Sequence, residues 1–208
     1  MNYLFIDTAD GTRALVFANG KYYYDENTKK AGAEALMPMI DSLLKRANIS
    51  VSDLGILGAC IGPGSFTGIR IGLATVKTLC YALDKPCFAV NNLQLNSYNS
   101  KSDKVVSVAD AGNKVCYIAC LVTDVWTESP KCVTRDEAIA IVNARRAEGY
   151  AVSTDTKLAG VFGDGASGVG EREMRLAAEK RVEYAMSYKE LLPLYIRKAQ
   201  PDRGEGDL

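Results

Sequence analysis

Two aspartates stand at equivalent places in the two halves of the sequence, each at the end of an apolar run that predicts a buried strand. Asp7, followed by Thr8, ends the first run, and Asp110 ends the corresponding run in the second half. A carboxylate at such a turn can orient a phosphate or a metal-bound water. Asp is also frequent in plain hairpin turns, where it bonds to nearby backbone groups. The pair therefore favours a duplicated fold and is weaker support for catalysis.

The most specific string in the sequence is a glycine-rich segment that leads into a predicted helix. Its loop consists of Gly62, Pro63, Gly64, Ser65, Phe66 and Thr67. A glycine-rich turn that delivers a helix N-terminus can bind an anion, and Ser65 or Thr67 can cap that helix. The segment is not a Walker loop, because no lysine follows at the required offset. Arg70 lies early in the helix, where the helix dipole disfavours a cation, which indicates a partner carboxylate or a phosphate near it.

Histidine is missing from all 208 residues, and this excludes several kinds of active site. Ser-His-Asp and Cys-His catalytic groups cannot be built in their usual form, and neither can HExxH or three-histidine zinc sites. The six cysteines form no CxxC pair and show no four-ligand zinc spacing. We therefore predict no metal site and no catalytic residue.

Charge and hydropathy limit the partners and the cellular location expected for the protein. The 25 basic and 25 acidic residues give no net charge, which argues against an unaided grip on RNA phosphates, because such binding needs clustered Lys and Arg. Neither a secretory signal nor an apolar stretch long enough to span a membrane is evident. The sequence predicts a cytoplasmic protein without membrane contact, whose cysteines are buried thiols.

Alternating strands and helices predict an α/β fold in two lobes, residues 1–100 and a smaller lobe of residues 101–208. The first lobe starts with a three-stranded meander that contains an Asn19-Gly20 hairpin turn. Its later elements are predicted as helices at 34–48 and 66–83, buried strands at 56–61 and 86–90, and a short helix or loop at 91–99. The elements predicted for the second lobe are strands at 105–109, 115–122, 150–153 and 158–162, and helices at 136–147 and 171–188.

Both long helices of the first lobe carry apolar residues at helical spacing, and we predict a partner interface on them. The predicted interface consists of Leu36, Met39, Ile40, Leu43, Gly68, Ile69, Arg70, Gly72, Leu73, Thr75, Val76 and Leu79. Its small residues would let another backbone approach closely, so Gly72→Leu is expected to block a partner sterically. The alternative is that both stripes face the protein's own sheet, as one stripe of every surface helix does.

The sequence resembles the TsaB (YeaZ) family of bacterial tRNA threonylcarbamoyladenosine biosynthesis. The resemblance rests on the glycine-rich string 62–72, on Phe-Ile-Asp-Thr at 5–8, on Leu-Met-Pro-Met-Ile-Asp at 36–41 and on Pro-Leu-Tyr-Ile-Arg at 193–197. It covers mainly the first lobe. In the second half it is limited to Val-Ala-Asp-Ala at 108–111, Gly-Asp-Gly-Ala at 163–166 and the final segment.

The resemblance implies an actin-like (ASKHA) fold whose two lobes each have a mixed sheet and flanking helices. It also implies a non-catalytic subunit that binds a TsaD-like transferase, which modifies adenosine 37 of tRNA, and that supports a TsaE-like ATPase. Docking would use the two long helices, and the isolated subunit would self-associate. No cofactor is implied beyond a nucleotide at a subunit interface. By analogy with actin-like ATPases, the candidate remnants of a nucleotide site are Asp7, Thr8, Asp110, Gly163, Asp164 and Gly165.

Two departures from the family pattern weaken metal and nucleotide chemistry. Gly32-Ala33-Glu34 stands where many relatives have His-Ser-Glu, and Gly112-Asn113 stands where relatives often have two arginines. Two alternatives stay open. One is an actin-like ATPase or kinase that uses Asp7 and Asp110 on a magnesium nucleotide, since carboxylates and water can hold Mg²⁺. The other is a homodimeric interaction protein outside tRNA modification.

Overall fold

The first lobe is built on a five-stranded mixed sheet, seen in a computed structural model that describes residues 1–27, 33–162 and 168–196. Its strands are β1 (Tyr3–Asp7), β2 (Thr12–Ala18), β3 (Lys21–Asn27), β4 (Ile56–Cys60) and β5 (Cys87–Val90). The strand order is β3-β2-β1-β4-β5, in which β1 pairs parallel with β4, and β4 with β5. The predicted meander is confirmed, and both residues of the Asn19-Gly20 turn have positive φ.

The first half of the chain has three helices: α1 (Ala33–Ala47), α2 (Phe66–Leu83) and α3 (Asn92–Ser97), of which α3 packs against the second sheet. The apolar stripes of α1 and α2 pack against the sheet, which explains why these segments are helical. α1 begins five residues before Pro38. The helix continues through the proline, although proline lacks the backbone N–H that other residues would donate at this position. Asn48 and Asp84 adopt left-handed backbone conformations directly after α1 and α2, and the helices end there.

The second lobe repeats the first four strands of the first lobe. Its strands are β6 (Lys104–Asp110), β7 (Val115–Val122), β8 (Val125–Thr134) and β9 (Ala151–Thr154). Their order, β8-β7-β6-β9, has antiparallel β6–β7 and β7–β8 pairs and a parallel β6–β9 pair. The helices of this half are α4 (Arg135–Ala147), α5 (Ala159–Phe162) and α6 (Glu171–Arg181). The duplicated α/β architecture expected from the sequence is present.

In the second half, the sequence gives no signal for one strand, and two predictions are wrong. The strand without a signal is β8, an edge strand that lacks an apolar face. Residues 158–162 are not a strand: a 3-10 turn at Thr156–Leu158 runs into α5, because the Asp155 carboxylate accepts a hydrogen bond from the Leu158 N–H and caps the turn. The last helix, predicted to reach residue 188, ends at Arg181.

The chain returns to the first lobe after the second sheet. Met174, Ala177 and Ala178 of α6 are buried in the core of the first lobe, and so is Leu191. The division into lobes at residue 100 stays a prediction. α6 comes after the second sheet in the sequence but packs against strands of the first sheet. In the described part of the chain, no helix combines the length and the apolar character needed to cross a membrane.

Residues 186–196 form a segment that we call the C-terminal strap. Met186 exchanges two backbone hydrogen bonds with Cys87 of β5, at 2.8 and 3.0 Å. The strap then runs along α2 in the opposite direction: the Lys77 ammonium donates to the Leu191 carbonyl at 3.2 Å, and the Leu194 N–H donates to the Ile61 carbonyl at 2.8 Å. One side of α2 is therefore covered by the chain itself.

Candidate functional site

The glycine-rich loop is a junction of three elements. Ser65 caps α2, since its Oγ accepts the Gly68 N–H at 3.2 Å, and its own N–H donates to the Ala9 carbonyl at 2.8 Å. The side chain of Asn92, the first residue of α3, donates to the Pro63 carbonyl at 2.9 Å. These bonds tie α2 and α3 to the turn after β1. Of the two predicted caps, Ser65 rather than Thr67 is the one observed.

The small-residue face of α2 is filled by the chain's own Thr8. Thr8 Oγ1 donates to the Gly68 carbonyl at 2.7 Å. A Cβ atom on Gly68 would overlap the Thr8 carbonyl oxygen, and one on Gly72 would overlap Thr8 Oγ1. The expectation that a partner backbone approaches Gly68 and Gly72 is wrong, because close approach is needed here within the chain.

Most of the predicted interface is part of the core. The buried members are Leu36, Met39, Ile40, Leu43, Gly68, Ile69, Gly72, Leu73 and Val76. Arg70 is exposed, and Thr75 and Leu79 are half-buried. The alternative, that both stripes face the protein's own sheet, is what the structure shows. Helical periodicity identifies the buried side of a helix without identifying what covers it.

The outward sides of α1 and α2 form a different surface, which we call the docking face. Its lining residues are Met37, Ala74, Thr75, Thr78 and Leu79. They enclose a shallow groove of about 280 Å³, and none of them is charged. Half of the Met37 surface is exposed, at 50%. Sequence reasoning placed Thr75 and Leu79 here and missed Met37, Ala74 and Thr78, although their spacing from the buried stripes marks them as the opposite side.

Asp7 is held in a buried ion pair. Its Oδ2 lies 3.0 Å from Nη1 of Arg13, and its Oδ1 accepts the Ala9 N–H at 2.9 Å. Both side chains are buried. Burial acts to lower the pKa of the Arg13 guanidinium, but Asp7, together with Tyr24 and Asp10, outweighs it, so that this pKa lies above its ordinary value. Arg13 was not among the site residues predicted from the sequence. The signal for it is the antiparallel pairing of β1 with β2, which places Arg13 directly opposite Asp7.

A cleft of about 360 Å³ lies between the lobes and is lined by residues of both. At its mouth the Lys157 ammonium of the second lobe donates to Oδ1 of Asp10 in the first, at 3.1 Å. Deeper in, the Asp110 N–H donates to Asp155 Oδ2 at 2.6 Å, and burial raises the pKa of the Asp155 carboxyl. Asp110 lies 3.6 Å from Arg135. Each charged side chain of the cleft thus already has a partner within the chain, either an opposite charge or a backbone N–H.

The candidate nucleotide residues that the structure describes do not all line the cleft. Asp110 lines the cleft, whereas Asp7 and Thr8 are turned into contacts with Arg13 and α2. Gly32 and the loop residues Gly163, Asp164 and Gly165 lie outside the described residues. Among the residues that the structure describes, no group of three or more Cys, Asp or Glu side chains could hold a metal ion.

We expect a single cysteine to react readily in the folded protein. Cys132 is half-buried, and the other five cysteines are buried. Burial also raises the pKa of the Cys60, Cys116 and Cys120 thiols, which lowers their thiolate fraction. A brief treatment with iodoacetamide, followed by mass spectrometry, should modify one thiol, and all six in denaturant. Cys132→Ser should leave none, and rapid modification of two or more would contradict the burial.

Comparison with known proteins places the chain in a family. A family model described as "TsaD: tRNA N6-adenosine threonylcarbamoyltransferase" matches residues 25–129, just over half of the chain. The TsaD-type transferase of Novosphingobium aromaticivorans is 45% identical over 69 residues, which cover 33% of this chain and 20% of that protein. The tRNA threonylcarbamoyladenosine biosynthesis protein TsaB of Bacillus subtilis is 34% identical over 104 residues, 49% of this chain and 45% of the relative. The matched part thus spans less than half of either relative.

The fold is matched over nearly the whole chain. YeaZ from Pseudomonas aeruginosa superposes with a TM-score of 0.73 at 19% identity, covering 93% of this chain and 99% of that one. Together with the repeated sheets, this confirms the predicted α/β fold in two lobes, each with a mixed sheet and flanking helices. The chain belongs to the TsaD family as the matching model defines it, and it is similar in part of its sequence to TsaB of Bacillus subtilis and in fold to YeaZ.

Proposed function

We propose that this chain is a non-catalytic subunit in the synthesis of threonylcarbamoyladenosine in tRNA, and that its docking face binds a TsaD-type transferase. The observation that carries the proposal is the uncharged groove between α1 and α2, on the outside of a TsaB-type fold. The relative from Bacillus subtilis is named tRNA threonylcarbamoyladenosine biosynthesis protein TsaB. A TsaE-like ATPase would join the assembled pair, and tRNA would be contacted through the transferase.

The chemistry of the docking face suits a helix of a partner. Ala74 and Thr78 are one turn apart on α2 and have small side chains, so a second helix can lie close to this one. Met37 is an adaptable apolar side chain at the edge of the groove. A stable complex buries about 1,600 Å² in total, so the partner must extend beyond the groove. A second copy of the chain would occupy the same face when the transferase is absent.

The ion pairs inside the chain support a non-catalytic role. A carboxylate that binds Mg²⁺ or polarises water needs a free oxygen facing the ligand. Both oxygens of Asp7 are already engaged, and Asp110 lies near the Arg135 guanidinium. We therefore propose that the subunit acts by binding and orienting its partner and holds no nucleotide by itself.

Ala74→Arg should abolish binding to the TsaD-type transferase of the same organism. Ala74 is exposed, so arginine is tolerated in the free protein, but burying its charge in the apolar contact is unfavourable without a partner. Isothermal titration calorimetry measures the affinity, and thermal unfolding checks that the fold is unchanged. The matched control is Ala144→Arg, at an exposed position near the C-terminal end of α4. Equal affinity of the two variants and the wild type would rule out docking through this face.

A further inference from the structure

Beside the docking face, two side chains of α2 and one of the C-terminal strap form an exposed cluster, which we call the Arg70 clamp. The Arg70 guanidinium carbon lies 3.8 Å from the centroid of the Phe66 ring. Its Nε–H donates to the Tyr195 hydroxyl at 3.0 Å. The two rings lie 5.3 Å apart. Tyr195 belongs to the C-terminal strap, so the clamp joins the start of α2 to the strap.

The clamp holds a cation without a carboxylate. Within residues 1–27, 33–162 and 168–196, Arg70 makes no ion pair, in contrast to Arg13, Arg145 and Arg181, which all do. It is exposed and lies on the fifth residue of α2, where the helix dipole disfavours a positive charge. Stacking and the Nε bond fix the plane of the guanidinium, while its Nη groups point to no acceptor among those residues. This is a preformed fork for a planar acidic group.

The surroundings of the clamp favour a protein carboxylate over an RNA phosphate. Ala74 of the docking face lies one turn beyond Arg70 on α2, so the two surfaces are continuous. RNA binding needs several clustered cations. The other cation of α2, Lys77, donates to a backbone carbonyl of the strap, and the whole chain has no net charge. A cation at the edge of an apolar groove suits a helix that carries one acidic side chain.

We propose that Arg70 receives a bidentate carboxylate from the partner bound at the docking face, and that Phe66 and Tyr195 enclose this pair. The proposal rests on the proposed function, since it concerns the same partner. Phe66 and Tyr195 are each 45% exposed in the free chain and can exclude water from the pair once the partner is bound. Arg and Tyr surrounded by apolar contacts are typical of energetic hot spots. The side chain is already ordered, so little of its freedom is lost on binding.

Variants of Arg70 and Tyr195 test the clamp in titrations with the purified transferase. Arg70→Lys keeps the charge but cannot make the planar fork, and we expect binding weaker by about 10- to 100-fold. Tyr195→Phe removes the acceptor for Nε and leaves the ring, so a smaller loss of several-fold is expected. Arg175→Lys is the matched control: Arg175 stacks on Tyr22 at 4.1 Å, on α6, and should bind like the wild type.

The outcomes separate this inference from the proposed function. Wild-type affinity of Arg70→Lys, together with loss of binding by Ala74→Arg, would overturn the clamp and leave the docking face intact. An unchanged transferase affinity with a lower affinity for tRNA would assign the fork to a phosphate and also overturn it. Support requires a charge-swap rescue: Arg70→Glu should lose binding, and one acidic residue of the partner changed to lysine should restore it.

Discussion

Asp7→Asn is expected to lower the free energy of unfolding by about 3 kcal/mol, because it removes the closest charge partner of the buried Arg13 guanidinium and leaves only the longer, 3.6 Å ion pair with the half-exposed Glu26. Asparagine keeps the shape of the side chain and can still accept the Ala9 N–H, so the loss isolates the charge of the pair. Side chains of Asp7 and Arg13 are 1% and 8% exposed, which leaves little room for solvent to screen the remaining guanidinium. A loss of this size is a large part of the stability of a domain, about 5–15 kcal/mol.

Urea unfolding followed by circular dichroism measures this effect. The control is Asp41→Asn, which breaks the exposed Asp41–Lys45 pair and should change stability by less than about 0.5 kcal/mol. Replacing both members of the buried pair, as in Asp7→Leu with Arg13→Met, should recover most of the loss, because no charge is then left unpaired. If Asp7→Asn is instead as stable as the wild type or more stable, Asp7 is not structural, and the ATPase alternative regains support.

Gly72→Leu is expected to destabilise the fold by about 3 kcal/mol, since an added side chain must displace its neighbours in a packed region. The space that leucine would need is occupied by Thr8, whose hydroxyl anchors the start of α2. This differs from the steric block of a partner that the sequence suggested. The substitution should lower the melting temperature, whereas the fraction that remains folded should bind the transferase with unchanged affinity.

The matched control for this substitution is Gly160→Leu. Gly160 lies in α5 with no atom within 4 Å of an added Cβ, so leucine should be neutral or slightly stabilising there. Differential scanning calorimetry compares the two variants, and calorimetric titration gives the affinity of the folded fraction. A Gly72→Leu protein with wild-type melting behaviour but no binding would show that the glycine faces a partner after all.

Local signals in the sequence predicted most of the first lobe. The Asn19-Gly20 turn fixes a hairpin by backbone conformation alone, and the stripes of α1 and α2 repeat at helical spacing over several turns. β8 gave no such signal, because an edge strand is covered on one side only and can be polar. The apolar run 158–162 fits a strand or a short helix equally well, and the cap by Asp155 decides between them.

The candidate site was less predictable, because it depends on what packs against each helix. The same periodicity describes a stripe on the protein's own sheet and a stripe on a partner, so the buried side was assigned to the interface. The docking face follows only when the sheet is known to cover the other side of α1 and α2. The Arg70 clamp joins residues 125 positions apart in the sequence, and no local pattern brings them together.

The C-terminal strap has a consequence for how the protein is made. Met174 of α6 and Leu191 of the strap complete the core of the first lobe, yet they are translated after the whole second sheet. A nascent chain that has only its first hundred residues therefore exposes apolar surface that they will later cover, and the lobes cannot mature strictly one after the other. Tyr195 also belongs to this segment, so the Arg70 clamp can form only after the strap has been translated. A partner that binds the Arg70 clamp would therefore bind only chains whose synthesis has passed the strap.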